Sequence, residues 1–165
     1  MSITTLTDEN MTLTTAVNIL AILRTAAADA LAAECRVKRV EISQSGSATL
    51  EMIRGEIVTR TGGVVTAAAT TPENTRPLGG PASGLTGNVA PVAGTGRSGT
   101  NGSVDTTPVY TTIHPFSFAN LNGYLLKPDP EEEMIIPADT IWAVRFLADP
   151  STLTGWTVSV TLNES

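Results

Sequence analysis

The regular alternation of apolar and polar residues is the feature that most constrains how this chain can fold. It is clearest in residues 156–162, where Trp156, Val158, Val160 and Leu162 are separated by Thr and Ser. Because successive side chains of a β-strand point to opposite faces, this pattern predicts a strand with one buried face. We expect the four apolar residues to point into the core.

The same period-two pattern recurs over much of the chain. In residues 140–147, Trp142, Val144 and Phe146 are predicted on one face and the residues between them on the other. Further strands are predicted at residues 36–42, 48–60, 109–113, 116–121, 123–127 and 134–136. Together these make roughly seven to nine short strands, about 8–14 residues apart. Such spacing predicts a mainly β chain, folded as an antiparallel β-sandwich that is jelly-roll-like.

Turn signals predict two hairpins and one bulge. Residues 44–47 (Gln-Ser-Gly-Ser) separate two adjacent strands, which are expected to pair as an antiparallel hairpin. Asn122-Gly123 is a strong signal for a two-residue hairpin turn between the strands that flank it. Gly55 interrupts the strand pattern of residues 48–60 and is predicted to mark a β-bulge.

Residues 13–34 fit two secondary structures. Their apolar residues follow a partly helical period, and residues 26–33 are dominated by Ala, the residue with the highest helix propensity. Residues 17–24 also fit a buried strand. We therefore predict a short N-terminal helical segment, with a strand followed by a short Ala-rich helix as the alternative.

Composition divides the chain into an arm, a domain and an insertion. Residues 1–12 are Thr-rich and polar, which is typical of an extended N-terminal arm, either frayed or docked on a neighbour. Residues 13–165 form the predicted single domain. Its inserted loop, residues 66–107, is rich in Gly, Pro, Ser and Thr and holds eight of the 14 glycines. Because a structureless loop of about 40 residues is unusual in a compact domain, we expect neighbouring chains to hold it.

The charge of the chain disfavours two classes of partner. Its formal net charge is −6 and its isoelectric point is near 4.7, so its surface repels the phosphates of nucleic acids and of anionic membranes. The densest apolar run, residues 17–23, is far shorter than the roughly 18 residues that a membrane helix needs. Residues 1–10 lack the basic region of a signal peptide. We expect no nucleic-acid partner and no membrane partner.

The chain has few residues that suggest catalysis. Cys35 is the only cysteine and His114 the only histidine. Neither an internal disulfide nor a His-based metal site can form, so we expect both residues to be structural. Gly94-Thr-Gly96-Arg-Ser-Gly99 matches the dinucleotide-binding pattern, but no buried strand is predicted before it and no helix after it. We predict no catalytic, cofactor-binding or metal-binding residues, and a protein that is not an enzyme.

Two further groups of residues have both a structural and a functional interpretation. The acidic run Glu131-Glu132-Glu133, with Asp129 before it, is expected to be a solvated loop. A calcium ion or an intersubunit charge contact is the alternative. Trp142 and Trp156 are expected to pack in the core, with a sugar-binding platform as the alternative.

Several motifs of the chain follow one another in a recognisable order, over about two-thirds of its length. Residues 37–47 and 71–81 come first. The rest are Phe116-x-Phe-Ala-Asn-Leu-Asn-Gly-Tyr-Leu, Pro128-Asp-Pro-Glu-Glu, Ile136-Pro, Ile141-x-Ala-Val-Arg-Phe-Leu and Val158-Ser-Val-Thr-Leu-Asn-Glu. This order resembles a group of small virion proteins of tailed bacteriophages, the capsid decoration or cement proteins.

The resemblance implies a particular assembly. It implies a β-sandwich, often jelly-roll-like, that forms a homotrimer and binds the major capsid protein on the outer capsid surface. We therefore expect a virion structural protein, made in the host cytoplasm, that stabilises the capsid shell. Residues 13–34 are richer in Ala than is usual in that group, and the resemblance carries over no site residues.

Two other functions fit the same sequence. Another virion component, such as a tail, connector or fibre-attachment protein, would occupy one vertex rather than the whole shell. A carbohydrate-binding or adhesin module would expose Trp142 or Trp156.

Overall fold

The chain folds into β-strands joined by turns and loops. The computed structural model describes residues 2–11, 13, 20–24, 35–61, 65–66, 73–75, 85–86, 103–104, 110–137 and 140–164. These residues form thirteen strands and no helix: β1 (Ser2–Met11), β2 (Leu20–Arg24), β3 (Cys35–Gln44), β4 (Met52–Thr61), β5 (Val65–Thr66), β6 (Glu73–Thr75), β7 (Leu85–Thr86), β8 (Ser103–Val104), β9 (Thr111–Ala119), β10 (Tyr124–Leu126), β11 (Met134–Ile135), β12 (Thr140–Phe146) and β13 (Trp156–Glu164). The predicted mainly β fold is confirmed. The predicted N-terminal helical segment is not seen in the described residues.

The strands form two antiparallel sheets, arranged like a sandwich around one core. The first sheet has the order β10-β3-β13-β1-β6, and β11 also pairs with β3. The second sheet has the order β7-β2-β12-β4-β9. β5 and β8 form a separate two-stranded ladder, in which Thr66 lies opposite Ser103.

Apolar side chains from both sheets meet in the core, as the alternation predicts. The inward residues of β13, at alternate positions from Trp156 to Leu162, are at most 1% exposed. Trp142, Val144 and Phe146 of β12 are at most 2% exposed. The predicted buried faces of these strands are therefore confirmed. Removing an aliphatic or Phe side chain of this kind from water contributes about 1.5–3 kcal/mol to folding.

Both predicted hairpins are wrong, because strands that follow one another in sequence lie in different sheets. β3 belongs to the first sheet and β4 to the second, while β9 belongs to the second and β10 to the first. The turn at Asn122-Gly123 therefore carries the chain across the core. Gly123 has a φ of +69°, and a Cβ there would lie 2.9 Å from the carbonyl oxygen of Ile42. Only glycine fits this backbone and this space without strain.

Gly55 does not form the predicted β-bulge. It lies in register between Phe116 of β9 and Phe146 of β12. A Cβ at residue 55 would lie 2.4 Å from Cζ of Phe116, so the absent side chain leaves room for that ring in the core. The irregularity in this strand pair lies instead between Ile57 and Val58.

The N-terminal residues contribute to both sheets. Residues 1–12, the predicted arm, supply β1, which pairs with β13 of the same chain from Ser2 to Met11. Within residues 13–34, β2 agrees with the strand alternative over Leu20–Arg24. The Ala-rich residues 26–33 lie outside the described residues.

The described parts of the insertion, residues 66–107, contact strands of the same chain. β6 pairs with β1 and β7 pairs with β2, so each extends one sheet at its edge. β5 and β8 pair with each other where the insertion begins and ends. The rest of the insertion lies outside the described residues, so its contact with neighbouring chains stays a prediction.

Candidate interaction surface

Three connections between strands that are described throughout meet at one end of the two sheets, where the amide of Leu13, between β1 and β2, also donates to the carbonyl of Leu153 at 2.7 Å. They are residues 45–52, 119–123 and 147–155, which we call the loop end, and they lead from β3 to β4, from β9 to β10 and from β12 to β13. The first two lie together because Met52 at the start of β4 pairs with Ala119 at the end of β9. All residues of the loop end are described.

Asn120 holds the first two connections together. Its backbone amide donates to the carbonyl of Glu51 at 3.0 Å, and its side-chain Oδ1 accepts from the amide of Glu51 at 2.9 Å. Its Nδ2 donates to the carbonyl of Thr49 at 3.0 Å. Because Asn120 is only 2% exposed, these bonds replace water for both polar atoms of its side chain.

The third connection is bonded to the first. The amide of Ser45 donates to the carbonyl of Gly155 at 2.8 Å. The carboxylate of Glu51 accepts from the amide and the hydroxyl of Ser151, at 2.9 and 2.6 Å. The indole Nε1 of Trp156, just beyond the connection, donates to the carbonyl of Thr152 at 2.8 Å. These bonds preform the loop end, so a partner that binds it has little loop entropy to remove.

The loop end also exposes much of the apolar surface of the described residues. Seven large apolar side chains are exposed among the described residues. Four of the seven belong to the loop end: Leu50, Met52, Leu121 and Leu147. A groove of about 290 Å³ lies between Met52 and Leu147. An exposed cluster of apolar residues is typical of a surface that contacts another protein.

Charge is scarce in the loop end. The acidic chain is 16% charged, yet only Glu51 and Asp149 are charged within residues 45–52, 119–123 and 147–155. The Glu51 carboxylate is already bonded to Ser151. The cores of protein–protein interfaces are depleted in charged residues in the same way.

His114 joins the two sheets on their inner side. Its Nε2 lies 3.0 Å from the hydroxyl oxygen of Tyr124. The Tyr124 ring stacks on Phe116, with ring centroids 4.4 Å apart, and burial raises the pKa of Tyr124 above its ordinary value. The contact links β9 of the second sheet with β10 of the first.

The acidic run is only partly the solvated loop that the sequence predicts. Glu131 and Glu132 are exposed. The expectation is wrong for Glu133, whose side chain is 5% exposed and forms an ion pair with Nζ of Lys38. Its carboxylate also lies 3.9 Å from the guanidinium of Arg36. The pairing of β11 with β3 brings these residues together, and no local sequence signal indicates it.

A second ion pair was not foreseen from the sequence. Glu56 is 8% exposed, and its Oε1 accepts from Nε of Arg145 at 2.6 Å while its Oε2 accepts from the hydroxyl of Thr112 at 2.5 Å. Burial alone would raise the pKa of Glu56, but the hydrogen bonds from Thr112 and Arg145 and the charge of Arg145 bring it below its ordinary value. Only the register, which places Arg145 opposite Glu56, could have indicated this pair.

The remaining candidate residues are accounted for as follows. Trp142 and Trp156 are 0% and 1% exposed, so neither indole forms a sugar-binding platform. Cys35 is buried in the core cluster. Gly94 to Gly99 lie outside the described residues. Among the residues that are described, no group of three or more His, Cys, Asp or Glu residues could hold a metal ion.

Comparison with protein-family models, with curated proteins and with solved structures finds no match to this chain. Within the described residues, no helix has the length and apolar character needed to cross a membrane. The fold and the loop end are therefore the observations on which a functional proposal rests.

Proposed function

We propose that this chain is a capsid decoration, or cement, protein with a jelly-roll fold. The fold proposal is supported by the pairing of eight principal strands. In chain order the first pairs with the last, the second with the seventh, the third with the sixth and the fourth with the fifth: β1 with β13, β2 with β12, β3 with β10 and β4 with β9. A jelly roll is a ribbon of eight strands paired in this way and folded into two sheets, as in viral capsid and lectin domains.

The loop end is the observation that carries the functional proposal. It is preformed and exposes four large apolar side chains, and these properties suit lasting contact with a protein surface. Its two charged residues, Glu51 and Asp149, line its groove together with Arg54 of β4. The motif order that resembles the cement proteins of tailed phages adds a specific partner. We expect the loop end to bind the major capsid protein on the outer surface of the shell.

Many weak contacts are sufficient for such a role. A homotrimer, which the resemblance implies, would present three loop ends to the shell at once. Linked sites bind more tightly than any single one, because later contacts form within an assembly that is already attached. The protein would then stabilise the shell without catalysis and without nucleic acid or membrane as a partner.

Binding to undecorated capsids of the phage that encodes the chain tests this proposal. The wild-type protein should bind many copies per particle over the outer surface, visible by electron cryomicroscopy. Absence of binding would overturn the proposed function. Copies at a single vertex would instead indicate a tail, connector or fibre-attachment protein, and a specific signal on a glycan array would indicate a lectin.

Substitution of Leu147 tests whether the loop end makes the contact. Leu147 is 59% exposed in the free chain, and Leu147→Asp would place an unpaired charge in the interface. We expect binding to weaken by at least about tenfold, since such burial costs more than about 1.4 kcal/mol. Ile135→Asp is the matched control, because Ile135 is 44% exposed and pairs with Arg36 at the opposite end. Equal loss of binding in both variants would contradict the assignment of the loop end.

A further inference from the structure

We propose that Asn122 is a site of spontaneous deamidation that introduces a negative charge into the loop end. Asn122 is exposed, and Gly123 follows it. Gly123 has no side chain to shield its amide nitrogen from the carboxamide of Asn122. The amide of Asn122 donates to the carbonyl of Ala119 at 2.9 Å, which closes a tight turn over residues 119–122.

The reaction needs only water and base. The amide nitrogen of Gly123 loses its proton to hydroxide and attacks Cγ of Asn122. The new N–Cγ bond forms as the Cγ–Nδ2 bond breaks, and the nitrogen leaves with a proton from water as ammonia. Water then opens the resulting succinimide at either carbonyl, which yields Asp at one carbonyl and isoaspartate at the other. In the Asp product the new carboxylate stands at Cγ, where the carboxamide was. In the isoaspartate product the main chain runs through Cγ and the free carboxylate is the former backbone carbonyl group, so either product adds one negative charge.

Asn120, two residues earlier in the same turn, lacks these features. It is 2% exposed, and its Oδ1 and Nδ2 are hydrogen-bonded to Glu51 and Thr49. The bonds restrain its carboxamide, which must rotate for the attack, and the next residue, Leu121, has a side chain beside its amide nitrogen where Gly123 has none. Asn120 is therefore an internal control with the same chemistry and a different environment.

The added charge changes a surface that contains few charged residues. The intact loop end contains only two charged residues, Glu51 and Asp149, so each converted Asn122 adds a third. A carboxylate at an apolar contact loses hydration on binding, which disfavours an apolar partner. The chemistry itself does not depend on the proposed capsid function.

Incubation of the folded protein in mildly alkaline buffer, followed by peptide mapping, tests the proposal. We expect conversion of Asn122 to a mixture of Asp and isoaspartate, at a rate that rises with hydroxide concentration, while Asn120 stays intact. Isoaspartate methyltransferase labelling identifies the second product. Asn122→Gln, which would have to close a larger ring, should abolish the label within residues 119–127. An intact Asn122 after the incubation, or conversion of Asn120 at the same rate, would overturn the proposal.

A separate measurement connects the modification to binding. Asn122→Asp should melt at the wild-type temperature, because residue 122 is exposed, and should bind undecorated capsids more weakly. A variant that binds as well as wild type would show that deamidation has no effect on the contact, even where the chemistry is observed. Failure of the wild-type protein to bind would instead count against the proposed function alone.

Discussion

At the scale of single residues, the ion pairs show what a carboxylate needs in order to be buried. Glu56 accepts hydrogen bonds from Arg145 and Thr112, which lie in the two strands on either side of β4. The pair therefore connects three adjacent strands of the second sheet. Burial of either charge alone would be costly, so the two residues depend on each other.

Glu56→Gln tests this pair through pH. Because the pKa of Glu56 is below its ordinary value of 4.5, its stabilising effect is complete above that pH and is lost as pH falls through the folded pKa. We expect the variant to lose about 1–2 kcal/mol of unfolding free energy at neutral pH and much less in acid. Urea unfolding at several pH values measures the difference. Glu131→Gln, at an exposed position, should stay within about 0.5 kcal/mol of wild type at neutral pH, and an equal loss there would contradict the assignment.

At the scale of strands, glycine positions report how tightly elements approach one another. Gly55 lies in β4 where the ring of Phe116 occupies the space that a side chain would fill. Its sequence context suggested a bulge. A glycine inside a strand pattern marks either a bulge or a place where another group approaches the backbone closely. The sequence does not reveal which neighbouring ring lies above the glycine, since that ring belongs to a strand some 60 residues away.

Gly55→Ala should destabilise the protein by roughly 1–3 kcal/mol, because the new methyl group overlaps the Phe116 ring in a packed core. Phe116→Leu removes the aromatic ring and by itself also lowers the unfolding free energy. In the double variant the alanine should cost less than in wild type, a coupling that a double-mutant cycle of unfolding free energies measures. Additive effects of the two substitutions would show that Phe116 is not the obstacle.

At the scale of the whole molecule, each sheet is built from strands that are distant in sequence. The hydroxyl groups of Thr5 in β1 and Thr161 in β13 are 3.2 Å apart although 156 positions separate them. β4 and β9 pair with each other, and the insertion adds β5 to β8 to the chain between them. Because β5 and β8 pair with each other, the insertion is closed at its base.

A shortened chain tests what the insertion contributes. Thr66 lies opposite Ser103, so an Asn-Gly turn can replace residues 67–102 without separating β5 from β8. We expect the two sheets to remain folded by circular dichroism. We also expect self-association to be lost, because the insertion is proposed to contact neighbouring subunits. Sedimentation measures the oligomeric state of the full and the shortened chain. A shortened chain that still forms the wild-type oligomer would contradict the proposed contact between the insertion and neighbouring subunits.

The sequence alone predicted the strands with clear alternation, such as β12 and β13, and which of their residues face the core, but not β1 or the short strands β6 to β8. Trp142, Val144 and Phe146, and likewise the alternate residues from Trp156 to Leu162, are buried as the alternation predicts. Burial is decided locally, because a strand presents one face to the core whichever strand lies beside it.

Which strands are neighbours is a property of the folded chain as a whole. Both predicted hairpins were wrong, and the Glu133–Lys38 pair and the loop end had no local signal. Apolar attraction is not directional, so an alternating pattern specifies a face without specifying a partner. Partners are selected by the packing of both sheets at once, and that selection brings three separate connections together at the loop end.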